Sequence, residues 1–140
     1  MTKFSLHPTL ENDTIFMKNL ELCQLRLMNN AHISWLILIP RENDITHFTQ
    51  LDRALQNKLM DEVNNVAKLM ENLFQPDRVN IAMLGNMVPQ MHWHIIARHA
   101  GDICWPGPVW GNIPDLKYNA EQVSALKNSI CNVLEDLYCC

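Results

Sequence analysis

The chain has 140 residues, 48% of them hydrophobic and 19% charged, which is the size and balance of one globular domain with a buried core and excludes a disordered chain. A formal net charge of −4 removes the general pull toward a phosphate polymer, so nucleic-acid binding is set aside while small phosphate ligands stay open. The longest unbroken apolar run, residues 35–39, is far too short to cross a bilayer, and His7, Pro8, Glu11, Asn12 and Asp13 interrupt any leader-like stretch.

In chain order, the pattern predicts a first strand over residues 15–20 and a second over 22–28. The polar break Asn29-Asn30-Ala31-His32 suits a hairpin turn, which makes residues 22–28 and 34–39 an antiparallel pair. Thr49 is placed to cap a long helix, with Asp52 as its capping-box partner. Leu51, Leu55, Leu59, Val63, Val66, Met70 and Leu73 then recur at steps of three and four, and Pro76 marks the exit. Strands are predicted over 78–84 and 90–98. Residues 101–114 hold Pro106, Pro108 and Pro114 with Trp105 and Trp110, an ordered arm rather than a solvated linker. A final helix starts at Asn119, with Gln122 in the capping-box position, and runs through Val123, Leu126, Ile130, Val133 and Leu137. This order is α+β with a mainly antiparallel sheet. The five cysteines (Cys23, Cys104, Cys131, Cys139, Cys140) are odd in number and include no Cys-x-x-Cys, as expected of reduced thiols in a cytoplasmic protein, with Cys139 and Cys140 in an exposed tail.

The chemistry concentrates in one stretch, residues 85–98. On a strand, side chains alternate faces, so Gln90, His92 and His94 share one face and should line a cleft. Met91, Trp93 and Ile95 share the other and pack into the core. Neutral imidazole is a nucleophile, and near neutral pH it can also donate a proton. Pro89 reads as the first residue of the strand, and Gly85 permits a tight turn close to a ligand. The bland alternative is a pair of solvated strand histidines. A zinc set completed by His99 and Cys104 is the other alternative, although the tight ligand spacing of strong zinc motifs is missing. His7, His32, His47 and His99 individually read as surface or loop residues, and Arg98 as a solvated strand end on the face of His94.

Gln90-Met91-His92-Trp93-His94-Ile95-Ile96 resembles the histidine triad (HIT) motif, in which histidines alternate with apolar residues, with glutamine at the first histidine position. Gly85-Asn86-Met87-Val88-Pro89 matches the segment that precedes the triad in that family, with Asn86 for its amide and Met87 where a hydroxyl is usual. Ser34 to Pro40, followed by the long helix, matches the strand and proline upstream, so the similarity runs over about residues 15–105. The resemblance implies a HIT-like fold in a single domain over 1–140: about five antiparallel strands and a long helix in the core, with an arm and a C-terminal helix over 106–140. It implies a homodimer with sheets joined edge to edge, and a nucleotide hydrolase or nucleotidyl transferase acting through a covalent nucleotidyl-histidine.

By position His92 would be the nucleophile, His94 the contact to the phosphate oxygens, and Gln90 the third catalytic position, where the family accommodates imidazole. Asn86 would bond the phosphate or leaving group, and Asn29 the ribose. Trp35 stands where the family has a histidine near the nucleotide, and Trp105 could stack a base. No cofactor and no metal are implied, and the alternative within the fold is a catalytically weak nucleotide-binding or scaffold dimer.

Overall fold

The computed structural model describes residues 3–138; the expected tail cysteines Cys139 and Cys140 lie outside them. Five strands form one antiparallel sheet: β1 (Thr14–Asn19), β2 (Cys23–Met28), β3 (Trp35–Pro40), β4 (Arg78–Ala82) and β5 (Trp93–Arg98). Their spatial order is β1-β2-β3-β5-β4, so β5 is inserted between β3 and β4, and β1 and β4 are the edges. Helix α1 (Pro8–Asp13) precedes β1, α2 (Arg53–Phe74) joins β3 to β4, and α3 (Ala120–Tyr138) closes the chain.

The unbroken apolar run becomes β3, buried at every position. Both faces of the sheet are covered there, so alternation gives two apolar faces rather than one. Leu36 and Leu38 meet Leu59, Val63, Val66, Leu69 and Met70 of α2, together with Met91, Ile95 and Ala97. Ile37 and Ile39 join Trp35, Ile96, Leu10 and Val109 on the opposite face, where Phe4, Leu6 and Trp110 pack against them. The N-terminal segment and the arm therefore roof the face that carries the even-numbered residues of β5. Buried Glu62 of α2 ties the two layers together, since its carboxylate oxygens accept from the backbone N–H groups of Leu22 and Cys23 at 2.8 and 2.9 Å.

Several boundaries move for identifiable reasons. Asp52, not Thr49, caps α2: its carboxylate accepts from Leu55 N at 2.9 Å, while Thr49 sits inside a short 3-10 turn, Phe48–Gln50. The exit falls where expected, with Gln75 in the left-handed region at φ 47° just before Pro76. Asn119 and Gln122 form the reciprocal capping box, each side-chain oxygen accepting from the other's backbone N–H. The hairpin turn is stiffened by Asn30, whose oxygen accepts from His32 N. That tip also holds the arm, because Asn30 Nδ2 donates to Pro114 O and Ala31 N donates to Leu116 O. Helix α1 has no counterpart in the predicted elements; it starts at Pro8, whose missing N–H costs nothing in a first turn, and His7 caps it. No helix among the described residues is long and apolar enough to cross a membrane.

Candidate active site

The strand expected over 90–98 begins at Trp93, because the polar groups of residues 90–92 are spent elsewhere. Met91 N donates to Ile45 O, and the Gln90 carbonyl accepts from the His92 ring. Alternation nevertheless carries through the stretch. Met91, Trp93 and Ile95 face α2, and His92 and His94 stand together on the roofed face, their rings 4.8 Å apart and tilted by 67°. In β5 the His94 position is held from both sides, opposite Ile37 of β3 and Ala82 of β4.

The neighbours fix where each proton sits. His92 Nδ1 lies 2.7 Å from the Gln90 carbonyl oxygen, which only accepts, so Nδ1 carries the hydrogen and Nε2 keeps its lone pair. Trp35 Nε1–H donates to His94 Nδ1 at 3.0 Å; an indole only donates, so His94 carries its hydrogen on Nε2. Burial lowers the pKa of His92; the Gln90 carbonyl opposes this and the nearby His7 adds to it. Burial, then the neighbouring His92, pushes His94 down to about 3. Both rings are therefore neutral near pH 7. One presents a nucleophilic nitrogen and the other a hydrogen-bond donor.

The expected cleft is filled in. His92 and His94 are 7% and 4% exposed. Trp110 closes over His94, its ring edge-on to His94 at 5.1 Å and to Trp35 at 6.1 Å. A cavity of about 500 Å³ begins two residues before His92, at Gln90. The Gln90 amide is fully engaged: its oxygen accepts from His7 N at 2.7 Å and its nitrogen donates to Ser5 O at 2.9 Å.

The other expected site residues are more dispersed. Trp35 is buried, with its indole N–H committed to His94. Asn29 uses its amide oxygen on Tyr118 N, holding the end of the arm at 2.9 Å. Asn86 is exposed on the loop that Gly85 opens at φ 76°, beside Met87, which is 95% exposed. Trp105 is partly exposed, with the Arg98 guanidinium 5.6 Å above its ring. Arg98 is not a solvated strand end: it is 2% exposed and doubly bonded to Asp102, with further donation to Asn80 and to Cys104 Sγ. The two outlying members of the alternative zinc set are also occupied, since His99 Nε2–H donates to Phe74 O and Cys104 accepts from Arg98. Among the described residues no cluster of three metal-ligating side chains occurs. His7 is the residue that sequence reasoning passed over, because no local pattern connects it to residue 90.

The HIT domain family profile matches residues 9–101. A histidine triad protein from Marinobacter aquaeolei VT8 superposes with a TM-score of 0.93 at 40% identity, covering 97% of this chain and 99% of its own. One from Bradyrhizobium japonicum gives 0.91 at 38% identity, over 94% and 98%. A hypothetical histidine triad nucleotide-binding protein from Sulfolobus tokodaii strain 7 gives 0.68 at 18% identity, over 92% and 91%, a likeness of fold. No curated protein matches the sequence.

Proposed function

Because the chain belongs to the HIT domain family, we propose that it is a nucleotide-binding hydrolase or nucleotidyl transferase in which His92 attacks the α-phosphorus of a nucleoside phosphate. The complementary protonation of the two rings carries the reading. His92 Nε2 supplies the electron pair for a new N–P bond, and the bond from phosphorus to the leaving group breaks with its pair going to that group. The His92 ring becomes cationic as the bond forms, so its Nδ1–H donation to the Gln90 carbonyl strengthens in the transition state. His94 Nε2–H is the donor for the phosphoryl oxygen, where charge grows. Water, or another acceptor in transfer, then attacks phosphorus and returns the pair to Nε2. Among the remaining expected residues, Asn86 is free to approach the phosphate from its exposed loop, while Trp35 serves by orienting His94.

Incubation with a nucleoside phosphoramidate or a dinucleoside polyphosphate, followed by mass spectrometry, tests this: the nucleotidyl adduct is expected on His92. In parallel, kcat for His92→Asn should fall to nearly nothing with the thermal melt preserved, and His94→Gln should cost roughly 10²-fold, the scale of one lost charge-stabilising donor. A His92→Asn protein turning over near the wild-type rate removes His92 from the nucleophile role. The roofing of both histidines favours a second reading, a nucleotide-binding dimer with little turnover; bound nucleotide without any adduct would select it.

A further inference from the structure

We propose that the N-terminal segment, residues 3–8, forms the leaving-group side of the site, with His7 as a further substrate-binding donor for leaving groups rich in oxygen acceptors, such as a phosphate chain. This rests on the nucleotidyl-transfer reading and assigns it a subsite. Gln90 joins the segment to the nucleophile: its main-chain carbonyl holds His92 Nδ1, and its side-chain amide holds Ser5 O and His7 N. Asn43 repeats that pairing one step upstream, accepting from Ser5 N at 3.0 Å and donating to Lys3 O at 2.9 Å. Two side-chain amides thus treat residues 3–7 as an extended strand, each satisfying one C=O and the N–H two residues on. An amide suits this because its donor and acceptor fork in one direction; the two nitrogens of an imidazole point apart. Glutamine at the first triad position therefore has a positive function of its own.

The segment places His7 with a defined proton. Its Nδ1 accepts from Thr9 N at 3.1 Å, and a backbone N–H only donates, so the hydrogen lies on Nε2. His7 then offers an Nε2–H donor and lines the cavity, as do Lys3, Ser5, Asp44, Thr46 and Gln90. The lysine ammonium, the Ser5 hydroxyl and the imidazole N–H supply donors to an oxygen-rich ligand, against the single carboxylate of Asp44. Gln90 places the cavity beside the reacting centre, since its side chain lines the cavity while its carbonyl holds His92 Nδ1.

Calorimetric titration with adenosine monophosphate and with a methylene-bridged, non-hydrolysable adenosine triphosphate separates the two halves of the ligand. His7→Asn is the chosen variant, because asparagine can still cap α1 while losing the Nε2–H donor. The ratio of triphosphate to monophosphate affinity is expected to fall about tenfold, the scale of one hydrogen bond to a charged group. Gln90→Ala should lower the same ratio, and the double variant should lose no more than the larger single effect, since both act through one segment. An unchanged ratio with both nucleotides still bound overturns the proposal and leaves the nucleotide reading standing. An equal loss for both nucleotides overturns the leaving-group assignment. A wild-type protein that binds neither overturns both.

Discussion

Two imidazoles one strand step apart hold opposite tautomers, and each is set by a single neighbour: a carbonyl at His92, an indole at His94. Trp35→Phe removes the indole donor while keeping an aromatic plate. The freed His94 Nδ1 can then carry the proton, so kcat should drop several-fold at nearly constant nucleotide affinity, with a stability loss of about 1 kcal/mol in denaturant titrations. The buried neutral state of His94 also has a pH signature. Unfolding restores its usual value near 6.5 from about 3, so below pH 6.5 the unfolded chain takes up a proton that the folded one refuses. Stability is therefore fully present above pH 6.5 and falls as the pH drops toward 3, by about 1.4 kcal/mol per pH unit for this one group. Urea midpoints at pH 7 and pH 5 measure the slope, and His94→Gln should flatten it. The alternation of Gln90, His92 and His94 was legible from spacing of two. The partner of Gln90 was not, since its bond to His7 spans 83 positions and no local pattern encodes it.

Element types follow from periodicity, but their ends follow from which side chain reaches a terminal N–H. Leu51 to Leu73 announce α2 clearly, whereas the choice between Thr49 and Asp52 depends on where the chain leaves the preceding turn extended at Leu51. Asp52→Ala should cost about 0.5–2 kcal/mol in thermal or chemical melts, and Thr49→Ala much less. Gln90 precedes β5 and is tied by its side chain to the N-terminal segment instead. Gln90→His replaces a forked pair of bonds with at most one. Amide hydrogen exchange at His7 should then accelerate at least tenfold, while the β3 and β5 amides keep their protection. Unaltered exchange at His7 would mean the segment is held by packing of Phe4 and Leu6 instead.

At the scale of the molecule, α+β class and an antiparallel five-stranded sheet were legible from the order of elements and the hairpin break. The roof over the face that carries His92 and His94 was not. It is assembled from residues 4–10 and 104–113, far apart in the chain and joined by Trp35, Ile37 and Ile96. One edge of the sheet remains conspicuous. On and just after β4, Ile81 and Leu84 are 46% and 39% exposed, an apolar margin that an isolated sheet would normally blunt with charge. Light scattering at micromolar concentration is expected to give twice the 16.2 kDa chain mass, through a two-fold interface burying on the order of 1,200 Å². Ile81→Lys should shift that equilibrium toward monomer with the fold intact by circular dichroism, and a wild-type monomer would remove the edge from consideration.

The clasp of Gln90 on Ser5 and His7 also orders events in time. A ribosome releases residues 5 and 7 well before their partner, which follows 83 and 85 positions later. At roughly 5–20 residues per second, that interval is about 4–17 s, during which Asn43 is the one of the two side-chain amides that residues 3–7 can close upon. The bonds that fix Ser5 and His7 to Gln90 thus close only after the whole of β1–β4 and α2 has been made.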